Sequence, residues 1–143
     1  MTLWRISNHP TLDGAGGLSA PGRWHTAGQR IVYYAPNPAT ALLEVLVHAK
    51  IDIEDIPVNL RYLEIEAPDT LAVQEVDLTE LGRSWRTDLA ATRAAGDEWL
   101  RDGRTALLRV PSVIGAGDLE CSDQSAAPPK QRCTRYPPPQ PGN

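Results

Sequence analysis

Arg23, Tyr33 or Tyr34, Glu44 and Ser112 are the side chains whose type and setting could do chemistry. Arg23 lies in Pro21-Gly22-Arg23-Trp24-His25, behind a glycine-rich run. Glycine lets a backbone approach a ligand closely. A guanidinium there could hold a pyrophosphate or carboxylate through two parallel hydrogen bonds. The plain alternative is a surface arginine on a loop. The run lacks the order of a P-loop, and it does not join a strand to a helix as a dinucleotide fingerprint requires. Glu44 is the one acidic residue in the segment 38–50, set among Leu42, Leu43, Val45, Leu46 and Val47. At helical spacing Thr40, Glu44 and His48 share a face. That stripe reads either as a solvated face or as the edge of a cleft, where a carboxylate stabilises positive charge on a sugar. Tyr33 and Tyr34 are neighbours on a strand and so point to opposite faces. One then enters the core, and the other lines a groove where it could stack on a nicotinamide or adenine ring. Ser112 follows Pro111 at a strand end, outside any GxSxG elbow, so it is not read as a hydrolase nucleophile. It caps a turn or donates to a phosphate or ribose.

The elements that must carry these residues follow from the pattern. Leu3 to Ser7 alternates as a strand, and residues 13–22 form a Gly/Pro/Ser-rich loop. Ile31 to Ala35 is β-branched and aromatic, a strand between Gly28 and Pro36. Pro38 suits the first turn of a helix running to about Lys50, apolar enough to be buried on more than one side. Leu60 to Glu66 alternates as a half-exposed strand; Leu71 to Val76 reads as a short one, with a turn opening at Asp77 or Thr79. Residues 85–101 read as one helix, weakened near Gly96, and Thr105 to Val110 as a strand ended by Pro111. Strands and helices mix without regular βαβ alternation, which gives an α+β class.

Composition bounds the rest. The 143 residues suit one compact domain with a core of its own. A net charge of −4 offers no basic footprint for nucleic acid and does not favour an anionic membrane. No apolar run reaches the length of a membrane span, and the first residues do not read as a secretion signal. Cys121 and Cys133 fall outside metal spacing and read as free thiols of a cytoplasmic protein, a disulfide between them being the alternative. His9, His25 and His48 form no ligand pair, so no metal site is expected. Past Ile114 the chain holds both cysteines and six of its thirteen prolines, ending RYPPPQPGN. Residues 115–143 therefore read as a proline-rich, disordered tail.

Taken in order, the segments LWRIS, GAGGLSAPGRWHTAG, IVYYAPNPATALLEVLVH and LLRVPSVI resemble the RES domain, over roughly residues 3–114. That family is named for an arginine, a glutamate and a serine, which match Arg23, Glu44 and Ser112. The resemblance implies an ADP-ribosyltransferase-like fold: a split, mixed β core with flanking helices and an NAD⁺ cleft. It implies a toxin of a type II pair that depletes NAD⁺ by hydrolysis or phosphorolysis and is blocked by an Xre-like antitoxin. Some members are linked to ADP-ribosylation of a protein. In that frame Glu44 stabilises the ribosyl cation, Arg23 holds the phosphates, Tyr33 contacts the cofactor, and Ser112 contacts the nicotinamide-ribose end or Glu44. Trp24, His25 and Arg5 are weaker candidates for the cleft lining. NAD⁺ is then substrate, and no metal is needed.

One departure stands out. After PSVI the family continues with an apolar, aromatic segment that completes the sheet; this chain reads GAGDLECSDQSAAPPKQRC. The departure implies loss of the last strand and of part of the cleft wall, hence a poorly active or inactive toxin that still binds antitoxin. The apolar surface so exposed would favour self-association.

Overall fold

A computed structural model describes residues 1–49, 54, 57–112, 119–123 and 130–135, the last two spans as backbone. In chain order the elements are β1 (Thr2–Ser7), α1 (Gly16–Ser19), β2 (Val32–Tyr34), α2 (Pro38–Ala49), β3 (Arg61–Glu66), β4 (Val73–Glu75), α3 (Leu78–Leu81), α4 (Leu89–Asp102), β5 (Leu107–Pro111), β6 (Leu119–Asp123) and β7 (Lys130–Arg135). The class is α+β, as the mixed pattern predicts.

The strands form two small sheets, ordered β1-β3-β7 and β2-β6-β5-β4. All neighbours are antiparallel except the parallel pair β4 and β5. Trp4 and Ala35 exchange backbone hydrogen bonds of 2.8 and 2.7 Å, which stitch β1 to the end of β2. The sheets share one core. Leu3, Leu63 and Ile65 of the first meet Val32, Tyr34 and Leu107 of the second. The opposite face of the second sheet offers Leu108 and Val110 to Trp24, Ile31, Trp85 and Trp99. β5 is therefore covered on both faces, which explains its nearly continuous apolar run. A third cluster of Ile6, Ala35 and Ala41 seats α2 beside β1.

The helix expected over 85–101 begins later, at Leu89. Asp88 caps it: the carboxylate accepts the Ala91 amide at 3.0 Å, and Trp85 is left in the preceding turn. The loop over 13–22 contains the single turn α1.

The tail corrects an expectation. Residues 115–143 were expected to hold no strand, yet β6 and β7 lie there and both are paired. β6 occupies the slot between β2 and β5, and β7 extends the free edge of β3. The physical reason is that an open strand edge is a row of unpaired backbone groups, which a chain of almost any side-chain pattern can satisfy. The expected loss of a last strand therefore does not describe this fold. The proline-rich end from residue 136 lies outside the described residues, as do Val113 and Ile114.

Candidate active site

α2 starts with a side-chain cap, the Asn37 Oδ1 accepting the Thr40 amide at 2.8 Å. The helix turns Thr40 and Ala41 inward, at 6% and 5% exposure. Its solvent side is apolar instead, with Leu43 and Val47 exposed. The Thr40–Glu44 stripe is thus not the solvated face; the side chain of His48 lies outside the described residues. Glu44 is half-buried, and its Oε1 accepts the hydroxyl of Ser112 at 2.5 Å. Ser112 is buried and follows directly on β5, so a packed strand fixes the donor and a packed helix fixes the acceptor. Glu44 and Ser112 were expected near each other from the resemblance, and the fold joins them.

A second group gathers around Arg23. Tyr34 points into the shared sheet core, and Tyr33, half-buried, points to the opposite face, toward the loop 22–26. The Tyr33 hydroxyl lies 2.8 Å from His25 Nδ1 and accepts the Trp24 amide at 3.2 Å. On the other side of the ring, His25 Nε2 lies 3.1 Å from the Ala20 carbonyl. A carbonyl only accepts, so Nε2 carries the proton and Nδ1 accepts from Tyr33 and from the Gly22 amide at 3.2 Å. Gly22 is required at this point, because a Cβ would fall 2.6 Å from the Tyr33 hydroxyl and 2.8 Å from Nδ1.

The Arg23 guanidinium donates from Nη1 to the Arg86 carbonyl at 2.9 Å. The Arg86 guanidinium itself lies over the Trp85 ring, 4.8 Å from its centroid. Trp24 corrects another expectation. It was a candidate for the cofactor's surroundings, but its side chain is wholly buried, with ring centroids 6.1 Å apart from Trp85. Its size and apolarity anchor the loop in the core, and a side chain so enclosed has no face left for a ligand. Arg5 donates to the Thr11 carbonyl at 3.1 Å.

Burial pushes the His25 imidazolium to a pKa below the ordinary histidine value, and nearby Arg93 acts in the same direction. Backbone hydrogen bonds to Ala20 and Gly17 and the charge of Asp97 oppose that shift without cancelling it. Burial likewise lowers the Arg5 guanidinium from its usual value.

The fold therefore brings Glu44 together with Ser112, and sets Tyr33 against the loop that carries Arg23, Trp24 and His25. The Arg23 guanidinium is held by the Arg86 carbonyl, while the hydroxyl of Ser112 is held by Glu44. Sequence reasoning missed the supports on α4. Thr92 Oγ1 donates to the Arg23 carbonyl at 2.7 Å, and Arg93 Nε to the Gly22 carbonyl at 2.8 Å. Asp97 accepts the Thr26 amide at 3.0 Å and the Thr26 hydroxyl at 2.7 Å. The available signal was Thr92, Gly96 and Trp99, all buried and spaced along one helix face. No group of three potential metal ligands occurs among the described residues.

The RES domain profile matches residues 2–125 of this chain. The chain belongs to the RES domain family. Its RES domain match runs past Ile114 and takes in β6. A protein of Pseudomonas putida named Toxin Res is 48% identical over 114 residues, covering 80% of this chain and 77% of that one. A Sphingobium protein named Prs ADP-ribosylating toxin is 38% identical over 123 residues, 79% of this chain and 75% of that one. A Toxin Res of Photorhabdus laumondii is 30% identical over 120 residues, 80% of this chain and 75% of that one. Among solved structures, the M. tuberculosis MbcT–MbcA toxin–antitoxin complex contains a chain that superposes with a TM-score of 0.70 at 18% identity. That alignment covers 94% of this chain and 81% of the other. At that identity the likeness establishes a shared fold.

Proposed function

We propose that this RES domain is a toxin that cleaves the nicotinamide–ribose bond of NAD⁺, acting as a glycohydrolase or phosphorylase, and that an Xre-like antitoxin neutralises it in the cytoplasm. The observation that carries the reading is the hydrogen bond from Ser112 to Glu44. It fixes one carboxylate oxygen, so that in the proposed complex the other is the one offered to the ribose. In the reaction the C–N bond breaks and both its electrons go to the pyridinium nitrogen, so nicotinamide departs neutral. Ribose C1 takes on cationic character, which the Glu44 carboxylate stabilises. An oxygen of water or phosphate then bonds to C1, and an attacking water passes its proton to solvent. The leaving group needs no strong acid, so Glu44 needs no second carboxylate beside it. Arg23 binds the pyrophosphate, and Tyr33 packs against the dinucleotide.

The name of the Sphingobium relative favours a second reading, in which a protein side chain is the acceptor in place of water or phosphate. A third reading, an inactive chain that still binds antitoxin, rests on the altered tail; the pairing of β6 between β2 and β5 supports an active chain over it. A partner-bound relative of the same fold is consistent with an antitoxin partner, and self-association remains part of the proposal. No described helix is long and apolar enough to cross a membrane.

The test is nicotinamide release from NAD⁺ by the purified chain, with and without phosphate, beside Glu44→Ala. Release that requires Glu44 supports cleavage, and a requirement for phosphate identifies phosphorolysis. Labelling of a protein with no free ADP-ribose or its phosphate would replace this reading by the second.

A further inference from the structure

Arg23 stands on a loop, yet the reaction needs its guanidinium fixed to within a fraction of an ångström. The guanidinium itself is held by the Arg86 carbonyl. The loop backbone that carries it is held by Tyr33 and His25 and by α4, an element that carries none of the family's named residues. Three of its side chains grip four consecutive or near-consecutive backbone and side-chain groups: Arg93 the carbonyl of Gly22, Thr92 the carbonyl of Arg23, Asp97 the amide and hydroxyl of Thr26. Thr92 is fully buried, so its hydroxyl is shielded from competing water. Between these residues Gly96 lets the helix press on the loop itself; a Cβ there would fall 1.6 Å from the Trp24 carbonyl oxygen.

We infer that Thr92, Arg93 and Asp97 are positioning residues for Arg23, and that α4 sets how tightly the domain holds the dinucleotide's phosphates. The inference rests on the proposed role of Arg23, but the clamp itself is a property of the fold. The three residues touch no reacting atom. They act by holding the backbone on either side of Arg23, so their loss loosens dinucleotide binding more than bond cleavage.

The experiment compares the full-length wild type with Thr92→Val, which keeps the shape and removes the hydroxyl, Thr92→Ser, which restores it, and Asp97→Ala. Steady-state nicotinamide release should show a KM for NAD⁺ raised about five- to tenfold by Thr92→Val and by Asp97→Ala, with kcat within about twofold. Thr92→Ser should return KM to near the wild-type value. A fall in kcat shared by the valine and serine variants, or an unchanged KM, overturns the inference. Amide hydrogen exchange gives a readout that needs no turnover. Thr92→Val should speed exchange at Trp24 and Thr26, whose amides bond to Tyr33 and Asp97, by about tenfold, while Thr92→Ser leaves it slow. A wild type that releases no nicotinamide would sink the proposed function, and the clamp would then stand or fall on the exchange rates alone. Exchange unchanged in Thr92→Val refutes it.

Discussion

The Ser112 hydroxyl donates to Glu44 Oε1 across 68 residues of sequence, at 2.5 Å. The bond ties the end of β5 to the middle of α2, so the carboxylate's orientation is a tertiary property and not a feature of its own helix. Glu44→Gln, of equal size, should lower nicotinamide release by about 100- to 1000-fold. Ser112→Ala, acting only through the carboxylate's placement, should cost about tenfold. The double variant should be no slower than Glu44→Gln alone. Independent, multiplying losses in that kinetic cycle would show that Ser112 works on the substrate and not through Glu44.

Arg23→Lys keeps the charge and loses the planar fork that matches a phosphate. The expected result is a KM for NAD⁺ raised about tenfold with a smaller change in kcat. A lysine variant indistinguishable from wild type would mean that a point charge suffices and that the bidentate geometry is irrelevant.

Gly96→Ala should destabilise the domain strongly, because the new Cβ meets the Trp24 carbonyl, a backbone atom within a fully packed cluster. Overpacking of this kind costs about 1–3 kcal/mol. Gly16→Ala is the matched control, since nothing lies within 4 Å of its Cβ position. Thermal unfolding of the two variants checks the contrast; equal melting temperatures would contradict the close approach of helix and loop.

His25 is held neutral, its pKa below the usual histidine value mainly through burial. The unfolded chain therefore takes up a proton at a pH where the folded chain does not. The resulting stability is complete above the ordinary histidine pKa of about 6.5 and declines as pH falls below it toward the folded value. Melting temperature should drop between neutral and mildly acidic pH, and His25→Gln should flatten that part of the profile. A parallel profile in the variant would assign the acid sensitivity to other groups.

Much of this architecture is legible in the sequence. The alternation of Leu60 to Glu66 and the proline at the head of α2 give elements that the fold keeps. The adjacency of Tyr33 and Tyr34 gives two faces, and the packing of Tyr34 with Val32 and Leu107 shows which one belongs to the core. Four things were hidden, each for a physical reason. β6 and β7 draw their pairing from neighbours' backbones, so LECSD and KQRCTR show no apolar alternation to read. Trp24 sits beside Arg23 in sequence but is wholly buried, and sequence proximity to a candidate residue says nothing about side-chain direction. The α4 supports act on carbonyls and amides, which every residue possesses, so no motif records them. Gly96 looked like a weak point in a helix and is instead a contact surface.

The place of β6 has a consequence for when the protein becomes itself. β2, which carries Tyr33, and β5, which leads to Ser112, lie in one sheet only because residues 119–123 run between them. Every other described part of both side-chain groups is already synthesised by residue 112. A ribosome must therefore deliver one further strand before the sheet can close, and pairing of residues so distant in sequence is intrinsically slow. The topology defers closure of that sheet until residues 119–123 have followed β5 out of the ribosome.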